Sequence, residues 1–173
     1  MVKDCFISGD TMNLWINTTR DQLLQLIKGL PLFTLNETEA RMLTGKYHLI
    51  EAAQDVLDMG VDTLIIKRGE YGAVLFHADR WFNMPAMLLN TIQDPTGAGD
   101  TFAGGFMGYL AATGDRSFEN LCEATIFGTV MASFTVEGFS LERLGSLTRD
   151  EIVARYRFLR QVIQASPHER LPW

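Results

Sequence analysis

The sequence predicts an α/β fold in which a mostly parallel sheet carries helices on both faces. Short apolar runs alternate with longer segments of helical periodicity, and this alternation is typical of parallel strands joined by helices. The run Leu64-Ile65-Ile66 is apolar at consecutive positions, as in a strand that is covered on both faces. No low-complexity linker or internal repeat divides the 173 residues, so a single domain is expected over residues 1–173.

The first half of the chain supplies three strands and three helices. Strands are predicted over residues 2–8, 32–35 and 62–67. Helices are predicted over residues 19–29, 37–44 and 49–59. In the first of these helices, the apolar residues define an inner face that consists of Leu23, Leu24, Leu26 and Ile27.

The second half begins with a strand, a turn and a strand. Gly69 and Gly72 lie in a polar turn between two strongly apolar runs, and β structure is predicted to continue over residues 76–85. Helices are predicted over residues 99–112 and 117–135, and a last helix begins at Thr148, whose spacing to Glu151 is that of a capping box. The apolar stripe of this last helix consists of Ile152, Tyr156, Leu159 and Ile163.

Composition and charge indicate a soluble enzyme without deciding its chemistry. A chain of this length buries roughly 70% of the surface that its unfolded form exposes, which is enough for one core. The net charge of −6 predicts no binding to nucleic acid or to an anionic membrane surface, because phosphate contacts need clustered Lys and Arg. Cys5 and Cys122 are too few for a disulfide framework or a zinc site, and no signal peptide opens the chain, so a cytoplasmic protein is expected.

The most informative stretch of the chain is residues 94–106, with the sequence DPTGAGDTFAGGF. Gly97, Ala98 and Gly99 are small residues directly before a helical pattern, where backbone N–H groups and the helix dipole attract a phosphate. Asp100 follows at once, and a carboxylate in such a turn would repel an anion that is merely bound. It suits a base that deprotonates a hydroxyl group beside the phosphoryl group in transfer. The stretch therefore predicts a kinase that acts on an alcohol.

Two familiar glycine motifs do not fit this stretch. A P-loop requires Gly-Lys-Ser or Gly-Lys-Thr, and neither follows Gly97 or Gly99. A dinucleotide-binding fingerprint requires glycine at the position of Phe102. The remaining alternative is a purely structural α/β domain whose glycines serve packing. Close helix packing is the role expected here for Gly104, Gly105 and Gly108.

Residues 94–106 resemble the second signature of the PfkB family, the ribokinase-like carbohydrate and nucleoside kinases. The family's pattern, D-x-x-G-A-G-D-[ST]-F-x-x-G, is matched at every fixed position, and Pro95 stands where many members have Thr. The resemblance implies a three-layer ribokinase-like fold with ATP and Mg²⁺ as cofactors. It also implies that Asp100 is the catalytic base and that the surrounding amides form an anion hole, namely those of Gly97, Ala98, Gly99 and Asp100. Some relatives bind a monovalent cation such as K⁺ beside this loop, at the positions of Asp94 and Thr96.

A second element of the resemblance is the N-x-x-E motif formed by Asn36 and Glu39. The residues alone indicate a capping box, because Asn at the N-cap is followed three residues later by Glu. The family's motif implies that the acid organises Mg²⁺ through water and that the Asn lies near the phosphates. Capping does not exclude that second role, since Mg²⁺ keeps several waters and uses few protein carboxylates.

The third element is the strand that ends in a Gly-x-x-Gly turn. In the family, this turn lines the nucleotide, which implies cofactor-binding roles for Lys67, Gly69 and Gly72. Many members have Thr where this chain has Lys67. The residues leave two interpretations open: the lysine reaches a phosphate, or it is a solvated side chain at the end of a strand.

In the PfkB family these motifs belong to the C-terminal half. No counterpart of the N-terminal half, with its first signature, its lid and most acceptor-binding residues, is found before Asn36, although residues 10–13 loosely match a loop near the acceptor site. The expected function is therefore ATP-dependent transfer of the γ-phosphoryl group to an alcohol of a sugar or nucleoside, by a C-terminal nucleotide-binding part. The alternative is a non-catalytic nucleotide-binding fragment. A sheet edge without its neighbours predicts a homodimer or other self-association.

Overall fold

The computed structural model describes residues 5–164. The strands are β1 Ser8–Asp10, β2 Leu32–Asn36, β3 Thr63–Lys67, β4 Ala73–His77 and β5 Arg80–Met84. The helices are α1 Asn13–Thr18, α2 Arg20–Ile27, α3 Glu37–Thr44, α4 Leu49–Asp58, α5 Ala98–Thr113, α6 Phe118–Thr135, α7 Glu142–Gly145 and α8 Arg149–Ile163. A single 3₁₀ turn, Gly69–Tyr71, joins β3 to β4.

The five strands form one sheet in the order β1-β2-β3-β4-β5. The pairs β1–β2 and β2–β3 are parallel, whereas β3–β4 and β4–β5 are antiparallel. The predicted α/β class is confirmed, but the sheet is mixed rather than mostly parallel. The reason is loop length: helices link the first three strands, while tight turns link the last three, and a tight turn can join only antiparallel neighbours.

Helices cover both faces of the sheet, as predicted. Alternate residues of β3 face opposite sides: Leu64 and Ile66 pack with side chains of α2, α3 and α4, whereas Ile65 packs against α5 and α6. All three side chains are fully buried. The chain therefore has three layers, with the sheet between two layers of helices. A strand such as β3 is apolar at consecutive positions because its alternate side chains pack into two different cores.

Most predicted elements are confirmed to within one or two residues, and three details are wrong. The first strand lies at Ser8–Asp10 rather than over residues 2–8, of which residues 2–4 lie outside the described range. The helices α1 and α7 were not predicted. Leu26 is 62% exposed, so the buried face of α2 consists of Leu23 and Ile27, with Leu24 partly packed.

The glycines of α5 divide into two groups. A Cβ on Gly105 would lie 3.0 Å from Met131 Cγ and 3.2 Å from the Cα of Gly128, so this position allows the close approach of α5 and α6. A Cβ on Gly104 or Gly108 would meet nothing within 4 Å among the described residues. The expected packing role therefore holds at Gly105 and not at the other two.

Candidate active site

The last residues of three adjacent strands lie at one edge of the sheet. Asp10 ends β1, Asn36 ends β2 and Lys67 ends β3, and Asn36 and Lys67 are directly paired in register. Because these three strands are parallel, their carboxyl ends meet at the same edge, which is where open α/β sheets bind their ligands.

Asn36 and Glu39 form the predicted capping box at the start of α3. Asn36 Oδ1 accepts a hydrogen bond from the Glu39 amide at 2.8 Å, and Glu39 Oε2 accepts one from the Asn36 amide at 2.8 Å. The second carboxylate oxygen of Glu39, Oε1, accepts no hydrogen bond from the described residues. One oxygen thus holds the helix start, and the other is free for a water or an ion.

The Glu39 carboxyl group is buried, with 7% of the residue exposed. Burial raises its pKa above the ordinary value, and the charge of Asp10 raises it further, whereas the Asn36 amide and Lys67 lower it. Glu39 therefore lies in the electrostatic field of both neighbouring strand ends. A divalent cation at this edge would relieve the cost of burying the charge.

The side chain of Lys67 extends from the end of β3 toward the start of α5. Its Nζ donates to Asp10 Oδ2 at 2.8 Å, and only 18% of its side chain is exposed. The same Nζ lies 3.3 Å from the place that a Cβ on Gly99 would occupy. The lysine is therefore not a solvated strand-end side chain: it lies between an acid and the N-terminus of α5.

The N-terminus of α5 is left without a side-chain cap. Gly97 is the N-cap, with a left-handed φ of 81° that disfavours a residue carrying Cβ. The Ala98 amide donates to the Pro95 carbonyl at 3.2 Å, whereas the Gly99 and Asp100 amides have no acceptor among the described residues. Side chains cap α3, α6 and α8 instead. The free amides of α5 suit an anion, since they combine open donors with the positive end of the helix dipole.

Asp100 lies in the first turn of α5, on an exposed position. Its carboxylate forms no hydrogen bond with the described residues, and it stands next to the free amides in the sequence. The arrangement leaves the carboxylate open to a ligand that binds at the helix start. The role of Asp100 as a base, and those of Gly97, Ala98 and Gly99 as the anion hole, stay predictions.

The Gly-x-x-Gly turn borders an open cavity of about 520 Å³, which extends from Asn36 and Lys67 to Gly69. Gly72 has a φ of 89°, and a Cβ there would lie 2.0 Å from the Met84 carbonyl oxygen, so close packing on the end of β5 fixes its identity. Contact of Gly69 and Gly72 with a nucleotide stays a prediction.

Two arginines add positive charge to this cavity. Arg41 and Arg68 line it, and both bind Glu37, at 2.5 Å and 3.0 Å. The hydrogen bond from Arg68 is the main cause that lowers the pKa of Glu37. With Lys67, three cationic side chains and one paired carboxylate face the cavity, which suits a polyphosphate.

Asp94 and Thr96 form a turn ahead of α5. The Thr96 amide donates to Asp94 Oδ1 at 2.9 Å, and this bond lowers the pKa of the partly exposed Asp94 carboxyl group. The Gln93 amide donates to the Val136 carbonyl, which fastens the loop to the end of α6. The Thr135 methyl group lies 3.9 Å from the place that a Cβ on Gly97 would occupy, and the Thr135 hydroxyl is buried without a partner among the described residues. The predicted binding of a monovalent cation here stays a prediction.

Four residues of this site were not predicted from the sequence: Asp10 as the partner of Lys67, and the cluster of Glu37, Arg41 and Arg68. Asp10 carried part of a signal, because a polar residue at the carboxyl end of the first strand lies at the same edge as Asn36 and Lys67 once these strands are known to be parallel neighbours. The arginines carried no such signal, since Arg41 and Glu37 are also spaced as an ordinary i,i+4 pair on a helix surface.

The sequence model described as pfkB family carbohydrate kinase matches residues 2–143 of this chain. The chain belongs to this family. The predicted family is thereby confirmed.

Relatives of this chain include sugar and nucleoside kinases. The deoxyribokinase of Salmonella typhi is 36% identical over 112 residues, which are 61% of this chain and 34% of that protein. The structure of ribokinase from Thermotoga maritima is 25% identical with a TM-score of 0.71, and the match covers 89% of this chain and 50% of that one. The structure of aminoimidazole riboside kinase from Salmonella enterica, complexed with aminoimidazole riboside and an ATP analog, has a TM-score of 0.75 at 24% identity, with 87% and 52% covered.

These matches confirm the ribokinase-like fold. They also show that the chain spans between a third and about half of the length of these proteins. Within residues 5–164, no helix combines the length and the apolar character that a membrane crossing requires.

Proposed function

We propose that this chain is the nucleotide-binding, C-terminal part of an ATP-dependent kinase that phosphorylates an alcohol group of a sugar or nucleoside. The observation that carries the proposal is the uncapped N-terminus of α5, where free amides adjoin both the open carboxylate of Asp100 and the ammonium group of Lys67. Membership of the family and the ATP analog bound to a structural relative support the choice of ATP.

The proposed mechanism gives each side chain one task. The Asp100 carboxylate accepts the proton of the acceptor hydroxyl as that oxygen attacks the γ-phosphorus and the bond to ADP breaks. The amides of Gly99 and Asp100 bind the oxygens of the transferred group, an interaction worth about 3 kcal/mol per donor in other enzymes. Asn36 lies near the phosphates. Glu39 would hold the water ligands of Mg²⁺, which when bound would neutralise charge on the phosphates.

The acceptor is a small molecule, and its class is proposed from the relatives. Their names specify deoxyribose, ribose and a riboside, so a sugar or a nucleoside with a free hydroxyl group is the proposed acceptor. No contact in the described residues selects one of these. Asn13, the first residue of α1, also lines the cavity, so the segment that follows Asp10 is proposed to contact the acceptor.

A second candidate function is nucleotide binding without turnover. The observation that favours it is coverage, because the chain spans 34% of the deoxyribokinase and 52% of the riboside kinase. We expect this chain to bind Mg-ADP and Mg-ATP weakly and to phosphorylate common sugars and nucleosides negligibly. Calorimetry and thermal shift with ADP test the binding. The absence of both heat and a shift at millimolar nucleotide would refute it.

The role of Asp100 is tested where turnover can be measured, in a chain extended to the full length of its relatives. Asp100→Asn should remove nearly all turnover while it leaves nucleotide affinity within a few-fold, because a base acts mainly in the transition state. Equal activity of the two proteins would refute the assignment.

We further propose that K⁺ binds beside the anion turn, at the positions of Asp94 and Thr96, whose side chains both carry oxygen atoms. Titration with K⁺ should strengthen binding of ADP more than titration with Na⁺ does. Asp94→Asn should remove this difference. Equal effects of the two ions on the unmodified chain would exclude a selective site.

We also propose that the chain self-associates through the free edge of β1. This strand pairs with β2 alone among the described strands. Four apolar side chains beside it are about half exposed: Ile7, Met12, Leu14 and Trp15. An unpaired strand edge next to such a surface favours a two-fold dimer. Light scattering at micromolar concentration tests this, and a monomer that binds no apolar dye would contradict it.

A further inference from the structure

The ion pair between Lys67 and Asp10 lies where the proposed function places the transferred phosphoryl group. Lys67 Nζ is 2.8 Å from Asp10 Oδ2 and lies against Gly99, whose amide is free. An ammonium group has three donors and no fixed geometry, so it can move between two nearby acceptors with little change of the side chain.

The Asp10 carboxylate keeps a hydrogen bond of its own when the ammonium group of Lys67 moves away. Its second oxygen, Oδ1, accepts a hydrogen bond from the Thr11 amide at 2.8 Å, and this bond does not involve Lys67. The Asp10 side chain is 37% exposed, compared with 18% for Lys67. Water can therefore replace the ammonium group at Oδ2, which limits the cost of separating the pair on the side of Asp10.

A terminal phosphoryl group attracts the ammonium group more strongly than the Asp10 carboxylate does. It carries more charge, and it would bind at the α5 amides, next to Nζ. A nucleoside diphosphate such as ADP lacks the terminal phosphoryl group, so no phosphate oxygen at that position competes with Asp10 for the ammonium group.

From these contacts we propose that Lys67 is a specificity-determining residue that distinguishes ATP from ADP. Its ammonium group is held by Asp10 in the free and ADP-bound protein and transfers to the γ-phosphate when ATP binds. This inference rests on the proposed function, because it assumes that the γ-phosphate binds at the start of α5.

The test measures dissociation constants of this chain for Mg-ADP and for a non-hydrolysable ATP analogue with an imido bridge. For Lys67→Gln we expect affinity for the analogue to fall about tenfold, the scale of one charge-assisted hydrogen bond, while affinity for ADP changes less than threefold. For Asp10→Asn we expect the analogue to bind several-fold more tightly, because the lysine no longer has a competing partner, and ADP affinity to stay within threefold.

The double variant separates competition for the lysine from simple charge repulsion. In the Lys67→Gln background, Asp10→Asn should leave affinity for the analogue unchanged. If the tightening persists without the lysine, Asp10 acts only as a repulsive charge, and the proposal is overturned. Weaker binding of the analogue by Asp10→Asn alone also overturns it, since Asp10 would then merely hold the lysine in position.

The control pair is Lys46 and Asp55, an exposed ion pair of 3.9 Å that is absent from the cavity. Lys46→Gln and Asp55→Asn should change neither affinity, and melting temperatures show that each variant is folded. If the unmodified chain binds neither nucleotide, the proposed function is refuted, and this inference is refuted with it because it depends on that function. If it binds both and Lys67→Gln weakens them equally or not at all, only this inference fails.

Discussion

Two helices of this protein begin with the same motif in very different surroundings. At the start of α3, Asn36 and Glu39 exchange hydrogen bonds between side chain and amide, and at the start of α8, Thr148 and Glu151 do the same. The bonds from the N-cap amide to the glutamate are 2.8 Å and 2.9 Å long. Both boxes therefore make the same pair of bonds, although the bond from the N3 amide is 2.8 Å in α3 and 3.3 Å in α8, where the Thr148 hydroxyl also donates to Glu151.

The environment of the glutamate does distinguish them. Burial raises the pKa of Glu39, which follows directly on a buried strand. Hydrogen bonds from Thr148 and from Arg143 lower the pKa of Glu151 to about 2, on a side chain that is 40% exposed. A capping box specifies where a helix begins, and the position of that helix relative to the sheet decides whether the carboxylate is available to a ligand.

The largest expected difference between the two boxes is in Mg²⁺-dependent nucleotide binding. Glu39→Gln keeps an oxygen that can accept from the Asn36 amide but removes the charge that would hold the waters of Mg²⁺. We expect the affinity for ADP in the presence of Mg²⁺ to fall at least about tenfold, as for other groups that act through a metal's ligands. Calorimetry in Mg²⁺ and in EDTA measures the Mg²⁺-dependent part.

Glu151→Gln is the matched control, because it makes the same chemical change in the same motif. Its affinity for Mg-ADP should stay within twofold of the unmodified chain. Equal losses in the two variants would show that the change acts through helix stability, and the functional distinction between the boxes would be lost.

The sequence predicted the boxes, most of the strands and the turn of small residues before α5, because all of these depend on neighbouring residues. Spacing alone predicted α3 within its observed bounds and the capping of α8 by Thr148. The family signature covered residues 94–106, and the structure places two of its glycines, Gly97 and Gly99, at a helix start without a side-chain cap. The mixed sheet was missed because the alternation of strands and helices says little about the last strands, which tight turns connect.

The partners of the site residues could not be predicted, since they come from distant parts of the chain. The pair of Asp10 and Lys67 joins residues 57 positions apart, and the pair of Glu37 and Arg68 joins residues 31 apart. Both depend on strand order and register, which local patterns do not specify. The same holds for Glu39, whose burial follows from its place beside the sheet.

The next expected effect is a loss of stability that the two boxes share. Asn36→Ala and Thr148→Ala each remove a side chain that accepts from an N3 amide, at 2.8 Å and 3.3 Å. Each substitution should lower the free energy of unfolding by about 1 kcal/mol, the usual cost of losing an N-cap. Urea denaturation at neutral pH measures it. Only Asn36→Ala should also weaken ADP binding, so a loss of affinity in Thr148→Ala would contradict the comparison.

The smallest expected effect is a difference in pH dependence, and its sign is opposite for the two glutamates. The folded pKa of Glu151 is about 2 against an ordinary 4.5, so its stabilisation is present above pH 4.5 and is lost as the pH falls toward 2. The folded pKa of Glu39 is raised, so its ionised form destabilises the protein at neutral pH, and this cost disappears as the pH falls through the folded pKa toward 4.5.

This difference in pH dependence is tested by the melting temperatures of Glu39→Gln and Glu151→Gln, measured at successively lower pH from pH 7. At pH 7, Glu151→Gln should melt below the unmodified chain and Glu39→Gln above it. The gap for Glu39→Gln should close as the pH falls through the raised folded pKa toward the ordinary 4.5, because the unmodified Glu39 then gains a proton and becomes uncharged like Gln. The gap for Glu151→Gln should begin to close only below that pH, since its carboxylate keeps its hydrogen bonds until about pH 2. If both variants lose stability at pH 7 and both gaps close together, the two carboxylates share one environment, and burial at the strand end does not set Glu39 apart.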